Sequence, residues 1–186
     1  MLFTVKQAVF SIFLLSSVII SRAESTMRIA CVGDSITYGA TIRDRANNCY
    51  PKMLGNLLGG NYTVRNFGVN GATLLKNGDR PYWKLKAFNE VTKFGPNVVI
   101  IKLGTNDTKP QNWGKVGKEF ETDLRAMIAH FQKQQNKPAI YLCFPVPVYQ
   151  TRWGINEKTV KSAVIPIILK VAKETNLTVI DLYQAL

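Results

Sequence analysis

The chain has 186 residues, of which 46% are hydrophobic and 19% are charged, and its formal net charge is +12 at pH 7. This length suits one domain that buries about two-thirds of its extended surface, and the composition excludes wholesale disorder and a collagen-like structure. The excess positive charge favours anionic glycans, anionic lipid headgroups or nucleic acid as partners. Because the basic residues are scattered and match no nucleic-acid motif, a basic secreted enzyme is favoured over a nucleic-acid binder.

The first 23 residues predict a secretory signal peptide. Lys6 precedes an apolar stretch over residues 9–20, and Ser21-Arg22-Ala23 offers small residues for a cleavage site. An apolar run of about a dozen residues is shorter than the roughly 20 that a membrane-spanning helix needs, so stable insertion into a membrane is not expected. We therefore expect residues 24–186 to form a single secreted domain, periplasmic if the source is bacterial, whose oligomeric state the sequence leaves open.

Strand-like and helix-like stretches alternate along the rest of the chain. Short apolar runs predict five strands, at residues 28–32, 62–67, 97–103, 139–144 and 177–182. Helical periodicity predicts intervening helices near residues 50–58, 82–93, 115–133 and 157–174. This order predicts an α/β fold, a three-layer α/β/α structure around a five-stranded parallel sheet.

The three cysteines, Cys31, Cys49 and Cys143, cannot all pair within one chain. Cys31 and Cys143 lie in apolar runs, where a free cysteine behaves as a small hydrophobic residue. The spacing matches neither a disulfide framework nor a zinc site. No metal is therefore predicted.

Three of the predicted strands end in loops with residues suited to acyl transfer. Because carboxyl ends of parallel strands meet at one edge of a sheet, these loops are expected to lie together. Acyl transfer needs a nucleophilic oxygen and donors aimed at the oxyanion. Ser35 can supply the oxygen and its own N–H, Gly71 a second backbone N–H, and Asn106 a side-chain N–H. Such a mechanism requires no cofactor.

The order Gly-Asp-Ser, Asn-x-Gly-x-x-Gly and Gly-x-Asn-Asp closely resembles the GDSL-type, or SGNH, esterase and lipase superfamily. The resemblance covers residues 28–186. It implies a flavodoxin-like sandwich in which Ser35 is the nucleophile and Gly71 and Asn106 complete the oxyanion hole. It also implies hydrolysis of carboxylic esters through an acyl-serine intermediate, with lysophospholipase and thioesterase activity as alternatives to a short acyl ester.

Residues 65–75, 81–84 and 102–113 resemble, more narrowly, secreted carbohydrate O-acetylesterases, including those that act on sialic acid or acetylated glycans. This resemblance implies a small acyl ester on a sugar, and an anionic one is compatible with the basic chain. Trp83, Trp113 and Trp153 are then candidate stacking surfaces for the sugar. Tryptophan is also commonly a partly buried packing residue, so both interpretations stay open.

The family's last block, Asp-x-x-His, supplies the general base and is not found. Asp181 is followed three residues later by Gln184, and the only histidine, His130, lies beside the core stripe of a predicted helix. Loss of the base in triad hydrolases costs on the order of a millionfold in rate, so the chain is expected to be almost inactive. A C-terminally incomplete chain without the terminal helix is favoured over a catalytically dead, glycan-binding pseudoenzyme, because that helix would cover apolar sheet surface.

Other enzyme and binding classes fit less well. The α/β-hydrolases carry Gly-x-Ser-x-Gly at the nucleophile, but Thr37 replaces the second glycine. A flavodoxin-like protein could hold phosphate with Ser35, Thr37 and Thr41, although Tyr38 interrupts that loop. Asp34 lacks the second carboxylate of a phosphoryl-accepting site, and we interpret it as a residue that starts the turn and the helix.

Overall fold

The computed structural model describes residues 26–186, so the predicted signal peptide lies outside the described residues. One parallel sheet has the strand order β2-β1-β3-β4-β5. The strands are β1 (Met27–Gly33), β2 (Tyr62–Gly68), β3 (Val98–Lys102), β4 (Ala139–Cys143) and β5 (Thr178–Ile180). All five predicted strands are confirmed. The last is shorter than predicted because Asp181 leaves it to cap the following helix.

Helices connect the strands and follow the last one. They are α1 (Ser35–Tyr38), α2 (Arg45–Asn48), α3 (Tyr50–Leu58), α4 (Lys86–Phe94), α5 (Pro110–Val116), α6 (Phe120–Gln132), α7 (Glu157–Thr159), α8 (Ile165–Thr175) and α9 (Leu182–Ala185). The predicted helix at 157–174 contains a π turn, Val160–Val164, just before Pro166. Proline lacks an N–H and crowds the preceding turn, which disfavours a regular α-helix there. In the described part of the chain, no helix is long and apolar enough to cross a bilayer.

Both faces of the sheet are covered, which confirms the three-layer α/β/α architecture. On one face, Ala30 and Val32 of β1 join the larger core cluster with residues of α4, α6 and α8. On the other face, Ile29 and Cys31 belong to a smaller cluster against Tyr50 and other residues. The alternation along β1 follows from the two-residue period of a strand.

The cysteines are buried and unpaired, as the sequence predicts for Cys31 and Cys143. Burial raises the pKa of each of these two thiols to about 12. A thiol with so high a pKa remains protonated at neutral pH and is a poor nucleophile. Cys31 and Cys143 therefore act as packing residues of the sheet.

The register of β1 with its two neighbours creates the edge at which the candidate site lies. Gly33, the last residue of β1, pairs with Gly68 of β2 and with Lys102 of β3. The three strands therefore end level with one another. Their loops emerge side by side at the carboxyl edge of the sheet, where ligands bind in open α/β folds.

Candidate active site

The first loop is a tight turn that carries Ser35 as the first residue of α1. The carboxylate of Asp34 accepts a hydrogen bond of 2.9 Å from the N–H of Ile36, which caps the short helix. A Cβ on Gly68 would lie 2.1 Å from the backbone nitrogen of Tyr38. Only glycine therefore allows α1 to pack so closely against the end of β2, and this packing positions the serine.

The second loop follows β2 and carries Gly71. Its first residue is tied to the nucleophile turn, because the N–H of Val69 donates to the carbonyl of Gly33 at 3.0 Å. Gly71 has a φ of 74°, a left-handed conformation that glycine adopts without strain. The backbone of this loop can thus approach a ligand closely at Gly71.

The third loop follows β3 and carries Asn106 in a single 3-10 turn, Asn106–Thr108. The side-chain nitrogen of Asn106 donates to the carbonyl of Ala72 at 3.1 Å, which joins this loop to the second loop. An asparagine amide carries two hydrogens, so one remains for a ligand. Asn112 fixes the backbone of the same turn by donating to the carbonyl of Asn106 at 2.9 Å.

Asp107 holds the second loop against the third. Its carboxylate oxygens accept hydrogen bonds from the N–H groups of Leu74, at 3.1 Å, and Leu75, at 2.8 Å. The side chain is fully buried, and this burial raises the pKa of Asp107 to about 7 in spite of the backbone donors. Asp107 is therefore a positioning residue whose charge changes near neutral pH.

The raised pKa of Asp107 predicts that its contribution to stability falls as the pH rises from about 4 to about 7. In this window the folded chain keeps a proton that an unfolded aspartate, with a pKa of 3.8, has lost. Asp107→Asn cannot titrate and should flatten the slope by up to about 1.4 kcal/mol per pH unit. Urea unfolding at several pH values between about 4 and 7 measures this slope of the free energy of unfolding against pH. The exposed Asp44→Asn variant should keep the original slope, and an unchanged slope in Asp107→Asn would refute the assignment.

A fully buried ion pair lies between the first and third loops. The ammonium nitrogen of Lys102 is 3.3 Å from both carboxylate oxygens of Asp34 and 3.2 Å from the hydroxyl of Thr105. Burial lowers the pKa of Lys102, and the adjacent carboxylate opposes that shift. The pair therefore connects the residue before Ser35 with the residue before Asn106. Sequence reasoning missed it, although a lysine at the end of a buried apolar run was a usable signal.

The three predicted catalytic residues meet in one cavity of about 560 Å³, lined by Ser35, Gly71 and Asn106. Other parts of its wall come from Ile36, Lys109, Arg152, Trp153 and Ile155. A hydroxyl, the backbone of a glycine and an amide side chain thus face a common space. This arrangement can receive an ester carbonyl and stabilise the negative charge that forms on its oxygen.

Of the three tryptophans proposed as stacking surfaces, only Trp153 lines the cavity, and its exposure is 77%. Trp83 donates through its indole nitrogen to the carbonyl of Leu74 at 2.7 Å and packs against the core. Trp113 packs on Phe120, with ring centroids 5.6 Å apart. The stacking role predicted for Trp83 and Trp113 is corrected accordingly: both are packing residues of the described domain.

His130 does not reach the cavity. Its ring lies on α6 with its centroid 4.5 Å from that of Phe88, and its Nε2 is 3.4 Å from the hydroxyl of Thr92. Partial burial there lowers its pKa. Asp181 caps α9 by accepting from two backbone N–H groups. Within residues 26–186, the wall of the cavity contains neither a histidine nor a carboxylate side chain.

Comparisons with known proteins concern the family and the fold of the chain. The model of the GDSL-like lipase/acylhydrolase family matches residues 31–186. An acetylxylan esterase of Xylanibacter ruminicola is 41% identical over 177 residues, which cover 86% of this chain and 37% of that protein. The chain therefore spans a little over a third of the length of this relative.

Solved structures share the fold. A carbohydrate acetylesterase from Sinorhizobium meliloti superposes with a TM-score of 0.68 at 17% identity, covering 83% of each chain. A GDSL-like lipase from Bacteroides thetaiotaomicron gives 0.60 at 22% identity, over 87% of this chain and 70% of that one. The acetyl xylan esterase AlAXEase gives 0.59 at 22% identity, over 86% and 79%. At these identities the similarity demonstrates a common architecture.

Proposed function

The chain belongs to the GDSL-like lipase/acylhydrolase family, and we propose that it is a serine esterase that cleaves short acyl esters, chiefly acetyl esters, on carbohydrate. The observation that carries this proposal is the cavity in which Ser35, Gly71 and Asn106 meet. The name of the acetylxylan esterase relative supports the choice of an acetylated sugar. Export directed by residues 1–23 is part of the same proposal.

In the proposed reaction, the hydroxyl oxygen of Ser35 attacks the ester carbonyl carbon, and the carbonyl oxygen becomes an oxyanion. The backbone N–H groups of Ser35 and Gly71 and the free amide hydrogen of Asn106 donate to that oxygen. Collapse of the intermediate breaks the bond to the sugar oxygen, which takes up a proton, and leaves an acyl group on Ser35. Water then attacks the acyl-serine and releases the carboxylic acid.

The proton of the Ser35 hydroxyl needs an acceptor, and the described wall of the cavity offers no histidine. We infer that turnover by the 186-residue chain is slow and that a small diffusible base increases it. General bases contribute about 10²–10⁴-fold in enzymes, so imidazole in solution should recover part of that factor. A glycan-binding pseudoenzyme is the second candidate, since the same absence of a base would suit binding without cleavage.

Acetate release from acetylated xylo-oligosaccharides, with and without imidazole, tests the proposal. A sugar acetate is used because imidazole attacks activated aryl esters by itself. We expect imidazole to raise release by the wild-type chain about 10–100-fold and to leave Ser35→Ala at the uncatalysed rate. The difference between the two proteins is the Ser35-dependent rate. Equal release by both proteins above the uncatalysed rate would reject Ser35 as nucleophile, and binding with release at the uncatalysed rate in both would favour the pseudoenzyme.

A further inference from the structure

The charged side chains in the wall of the cavity are all cationic. Two cationic side chains, Lys109 and Arg152, line its wall, and no carboxylate does so within residues 26–186. A third cation is close by, because a Cβ on Gly71 would lie 3.5 Å from the side-chain Cδ of Arg80. A cleft with charges of a single sign concentrates ligands of the opposite charge.

The two cations on the wall differ in their existing partners. The ammonium of Lys109 lies 3.7 Å from a carboxylate oxygen of Asp79 and is only 13% exposed. Arg152 is exposed and takes part in none of the ion pairs or side-chain hydrogen bonds found in the described part of the chain. Of the two cations on the wall, its guanidinium group is therefore the one that is available to an incoming anion, and its planar fork matches a carboxylate.

Arg152 lies on a turn that is tied to the oxyanion loop. The N–H of Ile155 donates to the carbonyl of Arg152 at 3.0 Å, and Trp153 and Gly154 between them have φ values of 54° and 77°. The N–H of Asn156 donates to the hydroxyl of Thr108 at 3.0 Å. This bond links the turn to the loop that carries Asn106. The guanidinium group and the exposed indole of Trp153 are thus presented together beside the reaction centre.

The cavity is larger than an acetyl group requires. Its volume of about 560 Å³ is in the range of sites that enclose a whole small molecule. An acetyl group at Ser35 therefore leaves space for the sugar ring and a substituent. An exposed tryptophan provides an apolar surface for a sugar ring, and a neighbouring guanidinium binds a negative substituent on that sugar.

We propose that the cavity selects acylated glycans that carry a carboxylate, such as those with uronic acid substituents, and that Arg152 is the residue that recognises this group. Trp153 supports the sugar ring, and Lys109 strengthens the local positive potential from its position next to Asp79. This inference rests on the proposed esterase function for the identity of the ligand as a sugar ester. It adds a specificity-determining residue that does not take part in the bond-breaking step.

Binding measurements test the inference without depending on turnover. The probes are a xylo-oligosaccharide with a glucuronic acid branch and the same molecule with its carboxyl group reduced to an alcohol. Isothermal titration calorimetry compares the wild-type chain, Arg152→Gln and a matched control, Lys173→Gln, which removes one charge from the exposed last turn of α8. Each titration is repeated at high salt.

We expect the wild-type chain to bind the carboxylated probe about tenfold more tightly than the reduced probe at low ionic strength, and high salt to diminish this preference. Arg152→Gln should remove most of the preference, whereas Lys173→Gln should keep it. Equal affinity for the two probes, or an unchanged preference in Arg152→Gln, would overturn the inference. Ser35-dependent acetate release without a charge preference would refute this inference alone, and a charge preference without such release would refute only the esterase proposal.

Discussion

Asn106→Ala is expected to lower the Ser35-dependent rate of acetate release by about 10²–10³-fold, because removal of one oxyanion donor costs roughly 3–4 kcal/mol of transition-state stabilisation. The side chain of Asn106 lies in the wall of the cavity and keeps one amide hydrogen beyond the bond to Ala72. A donor of this kind acts on the charge that develops during attack. The affinity for the uncleaved sugar ester should therefore change far less than the rate.

The control for this variant is Asn136→Ala. Asn136 donates to the carbonyl of Gly95 and is exposed, and it is not part of the cavity wall. Its replacement should leave the Ser35-dependent rate within about twofold of wild type, as a typical surface substitution does. Circular dichroism checks that Asn106→Ala remains folded. A rate loss of less than about threefold in a folded Asn106→Ala protein would exclude Asn106 from the oxyanion hole.

Lys102→Met is expected to reduce the free energy of unfolding by about 3–5 kcal/mol, because it leaves the buried carboxylate of Asp34 without its partner. Both side chains of the pair are fully buried, so water cannot replace the ammonium group. The same substitution at the exposed Lys86, which pairs with Glu90 across one helical turn, should cost no more than about 1 kcal/mol. Urea unfolding of the two variants at neutral pH provides the comparison.

The double variant Lys102→Met with Asp34→Asn separates charge from packing. It removes both charges, and an asparagine can still cap α1 as Asp34 does. We expect it to recover most of the stability lost in Lys102→Met. We also expect the double variant to have a lower Ser35-dependent rate than wild type, because the bond from Lys102 to the hydroxyl of Thr105 is lost. A Lys102→Met protein as stable as wild type would refute the structural role of the pair.

The fold was predictable because most of its strands are almost continuous apolar runs, although the edge strand β2 is more polar. Burial on both faces of a parallel sheet leaves little room for polar residues, so the apolar run of β3 (Val98–Lys102) identifies this strand in the sequence. The pairing of Lys102, the last residue of β3, with Asp34 was not predictable in the same way. Asp34 precedes Lys102 by 68 positions, and only the parallel pairing of β1 with β3 brings the two together.

Part of the predicted site comes together in the structure for a related reason. Strand ends indicate which loops share an edge, and this placed Ser35, Gly71 and Asn106 in one cavity. In helices and strands a regular spacing of apolar residues shows which side chains are buried. An irregular segment has no such spacing, so the direction of its side chains cannot be inferred in this way. Trp83 therefore packs inward with its indole on the carbonyl of Leu74, whereas Trp153 faces the cavity. Arg152, on the same irregular turn as Trp153, was not predicted at all.

Covalent trapping of the nucleophile tests the central claim most directly. The chain is treated with an activated phosphonate ester, which reacts with catalytic serines and leaves a tetrahedral group in place of the intermediate. Peptide mass spectrometry then locates the adduct. We predict a single modification at Ser35 that imidazole accelerates, that Asn106→Ala slows and that Ser35→Ala lacks. An adduct on other residues at a comparable rate, or one that persists in Ser35→Ala, would contradict the convergence of the three loops into an acyl-transfer site.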